Sequence, residues 1–420
     1  MAELLLINRA RAHGNRLAIR AGSDEFSYTQ LLQVSADLAS RLLNKTDDLN
    51  EARIAFLAPA GFEYTVMQWG IWRAGGVIVP LCLSAADPEL DYTLTNSESS
   101  LVISTKNLSS KVEGLCQRLN IPIMVLEEEA DESAASDSSL PTLDPTRRAM
   151  ILYTSGTTSK PKGVVLTHAN IQAQIESLVE AWEWQSDDRI PLFLPLHHIH
   201  GIINVLCCAL WIGATVDASS SFDSAAILKR VDEGTYTVFM AVPTIYVKLI
   251  NALESLSSEE QRYPIKGFAD MRLMVSGSAA LPASVHAKWT NLTGQKLLER
   301  YGMTEIGMAL SNPFRGERRP GAVGIPLPLV KVRLKAENGD LVIDEDKPGE
   351  IQVKGPGVFN EYWKLPEVTA DSFDNGWFCT GDMAVVETGY FRIMGRLSVD
   401  IIKSGGYKLS ALEIESVLCN

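Results

Sequence analysis

The chain has 420 residues, of which 46% are hydrophobic, and its 51 acidic and 38 basic residues leave a net charge of −13. That balance excludes the broad basic face of a nucleic-acid binder, and any anionic ligand must be met by local positive charge. The length predicts two or three domains or subdomains, and the hydrophobic share can fill a large core.

The N-terminal stretch "MAELLLINRARAHGNRLAIRA" is too interrupted by Arg and Asn for a secretory signal. Six scattered cysteines, Cys82, Cys116, Cys207, Cys208, Cys379 and Cys419, show neither C-x-x-C spacing nor a His/Cys cluster. They read as reduced thiols. A cytoplasmic location is expected, with a mitochondrial one as the alternative because the first segment holds several Arg and one acidic residue.

Short apolar, β-branched runs then recur between helical patterns. They are "RIAFLAP" from Arg53, "GGVIVPL" from Gly75, "LVIST" from Leu101 and "PIMVL" from Pro122, and later "VFMAVP" from Val238 and "LMVSGSA" from Leu273. Continuous apolar strands alternating with helices predict parallel sheets covered on both faces. The acidic stretch rich in Ser and Pro from Glu127 to Thr146 predicts a surface connection. The longest apolar run, Gly201 to Val216, is short of the roughly 20 residues of a membrane span and contains Asn204. It predicts a buried helix and no transmembrane segment. "PTIYVKLINALESL" from Pro243 predicts a helix with a Pro-Thr start. After about Gly316, alternating segments such as "GEIQVKG" and "GYFRIMG" between Gly and Asn turns predict antiparallel hairpins.

One stretch stands apart. "ILYTSGTTSKPKGVVLTHANI", Ile151 to Ile171, sets small hydroxyl residues, glycines and two lysines between two apolar runs. Backbone N–H groups, hydroxyls and a lysine are the parts that bind phosphate. The pattern G-x-x-x-x-G-K-[ST] is absent, and Pro161 keeps the segment from opening into a helix there. The reading is a hydroxyl-rich phosphate loop between two strands; an ordinary polar hairpin would rarely need this composition.

"LYTSGTTSKPKGV" resembles the signature of the adenylate-forming enzymes: acyl-CoA synthetases, luciferases and peptide-synthetase adenylation domains. "RYGMTE" (Arg300 to Glu305), "GWFCTGD" (Gly376 to Asp382) and "GRLSVDIIKSGGYKLSALEIE" (Gly395 to Glu415) follow in the family's order. An ordered set of this kind is far more specific than any single member. The resemblance implies an α/β fold in which a large N-terminal domain holds two doubly covered, mostly parallel sheets and a small antiparallel barrel-like subdomain. It also implies ATP, Mg2+ and coenzyme A. In the family's reaction a carboxylate attacks the α-phosphate of ATP and expels pyrophosphate, and a thiol then displaces AMP.

By the same resemblance, Thr154, Ser155, Gly156, Thr157, Thr158, Lys160 and Lys162 hold the β- and γ-phosphates. Glu305 is the Mg2+ residue and Thr304 meets the α-phosphate. Tyr301, with Gly302 beside it, lies against adenine, and Gly277, Ser278 and Ala279 form the other wall. Asp382 accepts from the ribose hydroxyls with help from Arg396. Competing structural readings are a charge at a helix N-terminus for Glu305 and a turn-capping Asp between hairpins for Asp382.

"PLHHIHG", Pro195 to Gly201, falls where the family lines its acyl pocket, with His198 at the matching position; His197 reads as a hydrogen-bonded core histidine. Amino-acid-adenylating relatives place an Asp near here, and this chain shows none. Arg300 directly precedes Tyr301 and Met303 follows it; the resemblance implies that both lie on the acid-binding side. A simple fatty acid leaves a buried guanidinium unpaired, which is costly, whereas a second carboxylate pairs with it bidentately. "LERYGMTEIGMALSNPFRGERRPGAVG" resembles malonyl-CoA synthetases, so malonate or methylmalonate is the expected acid. The structural alternative is an Arg300–Glu299 ion pair.

The expected domains are 1–397, the AMP-binding domain, and 398–420, a hinge and the start of a truncated lid. Lys403, with Gly405 and Gly406, resembles the lid loop that faces the site in the thioester step, and Ser398, Val399 or Asp400 is the pivot. The family's lid lysine is not among these residues, so a catalytically impaired nucleotide- or acid-binding protein is the alternative to an active ligase. A fatty or aryl acyl-CoA synthetase is the other.

Overall fold

The computed structural model describes residues 3–126, 140–154, 160–397, 400–404 and 407–410, with 401–404 and 407–410 described through their backbone. The chain divides into two compact units. One comprises Met1–Ile175, Trp184–Phe222 and Phe359–Pro366, the other Glu176–Glu183, Asp223–Val358 and Glu367–Asn420.

In the first unit the apolar runs form one seven-stranded sheet. Its spatial order is Glu361–Tyr362, Lys162–Thr167, Arg148–Thr154, Val77–Pro80, Arg53–Leu57, Leu101–Thr105 and Ile123–Leu126. The last five are parallel and the first two antiparallel. Successive strand residues point to opposite faces, and both faces are covered. Ala55, Leu57, Val77 and Val79 pack with Leu90 and Leu94 of helix Asp87–Ser97 and with Val112 and Leu115 of helix Ser109–Leu119. Ile54, Phe56 and Ile78, on the other face, are buried as well. Helix Phe62–Arg73 meets strands Arg53–Leu57 and Val77–Pro80 and is buried at every position except Glu63. Burial on both faces is why these strands read as unbroken apolar runs.

A second sheet of this unit runs Asp24–Ser27, Leu17–Ala21, Thr215–Ala218 and Arg189–Leu192, the last three parallel. It adds to the sheets foreseen from sequence by joining the N-terminal pair Leu17–Ala21 and Asp24–Ser27 to the distant strands Arg189–Leu192 and Thr215–Ala218. Helix Tyr28–Leu43 follows directly and starts at a capping box: Ser27 Oγ accepts from Gln30 N–H and Gln30 Oε1 accepts from Ser27 N–H. The long apolar run is a buried helix as expected. His200–Cys207 is wound in the wide i→i+5 form and continues as α-helix Cys208–Ile212, which ends at Gly213 with φ +88°. Short π-wound segments gather at functional sites. The acidic connection departs from a purely surface reading at its end, where Leu143 is buried. No helix among the described residues is long and apolar enough to cross a membrane.

In the second unit, strands Val238–Ala241, Leu273–Ser276 and Leu298–Met303 are parallel, and Gly307–Ser311 and Ile325–Pro326 extend the sheet antiparallel. Helix Pro243–Glu254 starts at its proline. The alternating segments form an antiparallel sheet of Lys331–Lys335, Gly349–Lys354, Trp377–Glu387 and Phe373–Asp374, with Tyr390–Arg396 paired to Trp377–Glu387. Strands Ile401–Ser404 and Tyr407–Ser410 pair with each other.

Leu94 is fully buried between the seven-stranded sheet and its helices. Leu94→Ala is expected to destabilise the first unit by about 2–5 kcal/mol through lost transfer energy and an unfilled cavity. A thermal melt followed by circular dichroism checks it, and an unchanged melting temperature refutes the packing described.

Candidate active site

The candidate residues of the first unit sit at the carboxyl ends of its parallel strands, where open α/β sheets bind ligands. Strand Arg148–Thr154 ends at Thr154, which pairs in register with Lys162 of the antiparallel return strand. The connection is therefore a hairpin between two strands, with no helix opening after Pro161. Ser155, Gly156, Thr157 and Thr158 lie outside the described residues. At the exit, Lys160 Nζ stands 5.8 Å from the centre of the Tyr92 ring and Lys162 Nζ 4.4 Å from that of Tyr362.

His197 and His198 lie on the turn after strand Arg189–Leu192, with ring centres 4.1 Å apart. Burial, reinforced by the neighbouring imidazole, pushes His197 down to about 4, so it is neutral at pH 7. His197, Phe56, Tyr64, Leu81, Phe193 and Leu196 line a cavity of about 160 Å³ in this unit. His198, the expected pocket residue, is exposed on the turn, while His200 is buried in the π-wound segment.

In the second unit, parallel register sets Ser276 opposite Glu299, which brings Gly277 beside Arg300. A Cβ at Gly277 would lie 2.4 Å from Arg300 Nε, so only glycine leaves room for the guanidinium. Arg300 is 4% exposed; its Nη2 donates to Ser278 Oγ at 3.3 Å, and its Nε has no hydrogen-bond partner. Burial lowers its pKa to about 10, which keeps it cationic at neutral pH. Ser278, held at φ +69°, and Ala279 are exposed just past the strand end.

Glu299 does not pair with Arg300. Neighbours on one strand face opposite sides, and the Glu299 carboxylate instead accepts from Gly321 N–H at 2.8 Å. Burial raises its pKa to about 7.

Strand Leu298–Met303 ends in the turn Thr304–Ile306, closed by Ile306 N–H to Met303 O and by Gly307 at φ +64°. A Cβ at Gly302 would lie 2.1 Å from Gly307 O, so this turn also requires glycine. Glu305 is thus buried at a β-hairpin tip. The helix-N-terminus reading of Glu305 fails because no helix begins there. No group of three or more His, Cys, Asp or Glu side chains among the described residues could hold a metal. A single carboxylate with substrate phosphates is, however, a sufficient Mg2+ donor set, and Glu305 fits that.

Asp382 lies inside strand Trp377–Glu387, not at a turn, which removes the capping reading. It pairs in register with Arg396; Oδ2 accepts from Tyr301 O–H at 2.6 Å, and Arg396 Nε lies 3.2 Å from Oδ1. Burial raises the Asp382 pKa, opposed by Tyr301 and Arg396. The strand register thus brings Tyr301, Asp382 and Arg396 together, while Arg300, one residue back, turns to the other face. Asp400, of the three hinge candidates, accepts from Arg396 N–H at 2.9 Å; Ser398 and Val399 lie outside the described residues, as does the Lys403 side chain. Sequence reading missed Tyr92 and Tyr362, which reach the lysines from remote segments and carry no motif.

The raised pKa of Glu299 gives a test. A carboxyl whose folded pKa exceeds its unfolded value favours the fold below the unfolded pKa, and that contribution is lost as pH rises through about 7. Glu299→Gln, which keeps the acceptor for Gly321, is therefore expected to gain stability relative to wild type between pH 5 and pH 8, by up to about 3 kcal/mol. Paired thermal melts at the two pH values check it; a pH-independent difference refutes the assignment.

The family described as AMP-binding enzyme matches residues 6–363. The mitochondrial malonate–CoA ligase ACSF3 of Mus musculus is 42% identical over 97% of this chain and 76% of its own length. The crystal structure of ATP-bound MatB from Rhodopseudomonas palustris superposes with a TM-score of 0.87, at 33% identity, covering 99% of this chain and 83% of that one. A malonyl-CoA ligase ternary product complex with methylmalonyl-CoA and AMP bound superposes at 0.82, with 34% identity and 99% and 86% coverage. A family match over residues 6–363, joined to a relative 42% identical over nearly the whole chain, shows that this chain belongs to the AMP-binding enzyme family.

Proposed function

We propose that the protein is an AMP-forming acid–CoA ligase that activates malonate, or methylmalonate, through an acyl-adenylate to its CoA thioester. The observation that carries the substrate is Arg300. A guanidinium buried to 4% exposure with an unpartnered Nε is a costly arrangement, and a dicarboxylic acid offers it a bidentate partner. A fatty or aryl acid would leave that cation unpaired. Methylmalonate fits the same argument, since its methyl group spares both carboxylates.

The chemistry needs an anionic nucleophile held against an anionic phosphate, so positioning and electrostatic stabilisation do most of the work. Arg300 holds the distal carboxylate, which leaves the proximal one to attack the α-phosphorus. As that O–P bond forms, the bond to the β-phosphate breaks and pyrophosphate leaves. Lys160, Lys162 and Thr154 hold the departing phosphates, and Thr304 meets the α-phosphate. What a bound Mg2+ supplies at Glu305 is charge neutralisation on phosphate oxygens. Tyr301 packs against adenine opposite Gly277–Ala279, and Asp382 and Arg396 bind the ribose. The CoA sulfur then attacks the acyl carbon and AMP leaves with the C–O electron pair; Lys403 belongs to this thioester step. Residues 1–397 form the AMP-binding domain, and the lid begins at 398. The mitochondrial name of the mouse relative favours that compartment over the cytoplasm.

Arg300→Ala is expected to lower malonate-dependent ATP–pyrophosphate exchange by at least about 100-fold, roughly the 3 kcal/mol of a broken charged contact, while ATP affinity stays within about twofold. Exchange rates with and without malonate, beside calorimetric ATP binding, make the measurement. Undiminished malonate-dependent exchange in the variant sinks the substrate assignment.

A further inference from the structure

Both lysines at the exit of the phosphate loop rest on aromatic rings, and the two rings differ in what else they do. Tyr362 comes from strand Glu361–Tyr362, which pairs with Lys162–Thr167. Tyr92 comes from helix Asp87–Ser97 and makes two contacts with the loop exit at once. Its hydroxyl donates to Pro161 O at 2.8 Å, and its ring lies under Lys160 Nζ at 5.8 Å. The ring also stands edge-on to Tyr153, 6.0 Å away, one residue before the loop's first threonine. One turn further along the same helix, Asn96 Oδ1 accepts from Tyr153 O–H at 2.8 Å, and Asn96 O accepts from Trp363 Nε1 at 2.9 Å. Helix Asp87–Ser97 therefore grips both stems of the hairpin.

We propose that Tyr92 is a positioning residue of the adenylation step, fixing the loop exit so that Lys160 is aimed at the β- and γ-phosphates before nucleotide arrives. The physical reason is local. Pro161 has no N–H, so its carbonyl is the one backbone polar group that can anchor it, and Tyr92 donates to that carbonyl. A lysine ammonium on a four-carbon stem has many rotamers, and a ring face within about 6 Å narrows them. When phosphate binds, the ammonium leaves a weak partner for a strong one, and the Pro161 anchor stays in place. The inference rests on the reading of Thr154–Lys162 as the pyrophosphate loop.

The test compares ATP with AMP, which lacks the phosphates the loop holds. Tyr92→Phe removes the anchor and keeps the ring; Tyr92→Leu removes both. Calorimetry on the full chain is expected to show ATP binding weakened about fivefold in the first variant, the scale of one hydrogen bond, and further in the second. AMP binding should be unchanged in both. The KM for ATP should rise in step while the KM for malonate holds. Equal losses for ATP and AMP would mean a general structural role and overturn the proposal, as would no loss for ATP. Lys162→Ala separates the two levels of inference. If it weakens ATP alone while the Tyr92 variants change nothing, the loop reading stands and the Tyr92 proposal falls. If Lys162→Ala leaves ATP binding intact, the loop reading falls and takes the proposal with it.

Discussion

Taking a cation out of water is among the most expensive things a fold can do, and the second unit is arranged around one such act. Arg300 points inward from the end of a central parallel strand, and the space it needs exists because the residue beside it on the next strand has no side chain. A methyl group at Gly277 would overlap the guanidinium. Strand register, a glycine and a buried charge are thus one feature. The same register determines the neighbours. Period-two alternation turns Glu299 away to the loop at Gly321 and Tyr301 toward Asp382, so each of three consecutive residues has a different task.

Much of this was legible in the sequence. The apolar runs from Arg53, Gly75, Leu101, Pro122, Val238 and Leu273 all contain strands; in all but the half-buried edge strand Ile123–Leu126, burial on both faces leaves an unbroken hydrophobic signal. Pro161 correctly argued against a helix after the phosphate loop. What could not be read was partnership. The Glu305 and Asp382 alternatives each assumed a helix end or a turn, and each failed because strand pairing puts one residue on a hairpin tip and the other inside a strand. An Arg300–Glu299 pair looks natural on paper since the two are adjacent, yet adjacency in a strand is what keeps them apart. Tyr92 and Tyr362 were silent for a different cause. They approach the lysines from segments 68 and 200 positions away, the differences between 92 and 160 and between 362 and 162, and a lone tyrosine has no pattern.

The loop lysines and Arg300 are held in opposite ways. The lysines lie on aromatic faces at the surface, weakly held and ready to move. Arg300, in contrast, is enclosed, packed against Gly277 and donating to Ser278. That contrast matches the proposed tasks: a leaving group is gripped and then let go, whereas a substrate carboxylate serves as a fixed reference point for the reacting atoms.

The hydrogen bond from Tyr301 to Asp382 has a consequence for how a nucleotide settles. In the role proposed for Asp382, ribose hydroxyls would not arrive at a bare carboxylate. They would compete with a phenol and a guanidinium that already satisfy it, so their net gain would be a difference between two sets of bonds. Such an exchange keeps the site from becoming a trap. AMP forms at the end of the cycle in the place where ATP entered, and turnover requires that it depart. A carboxylate that can fall back on its own tyrosine lets the product go without stranding a buried charge.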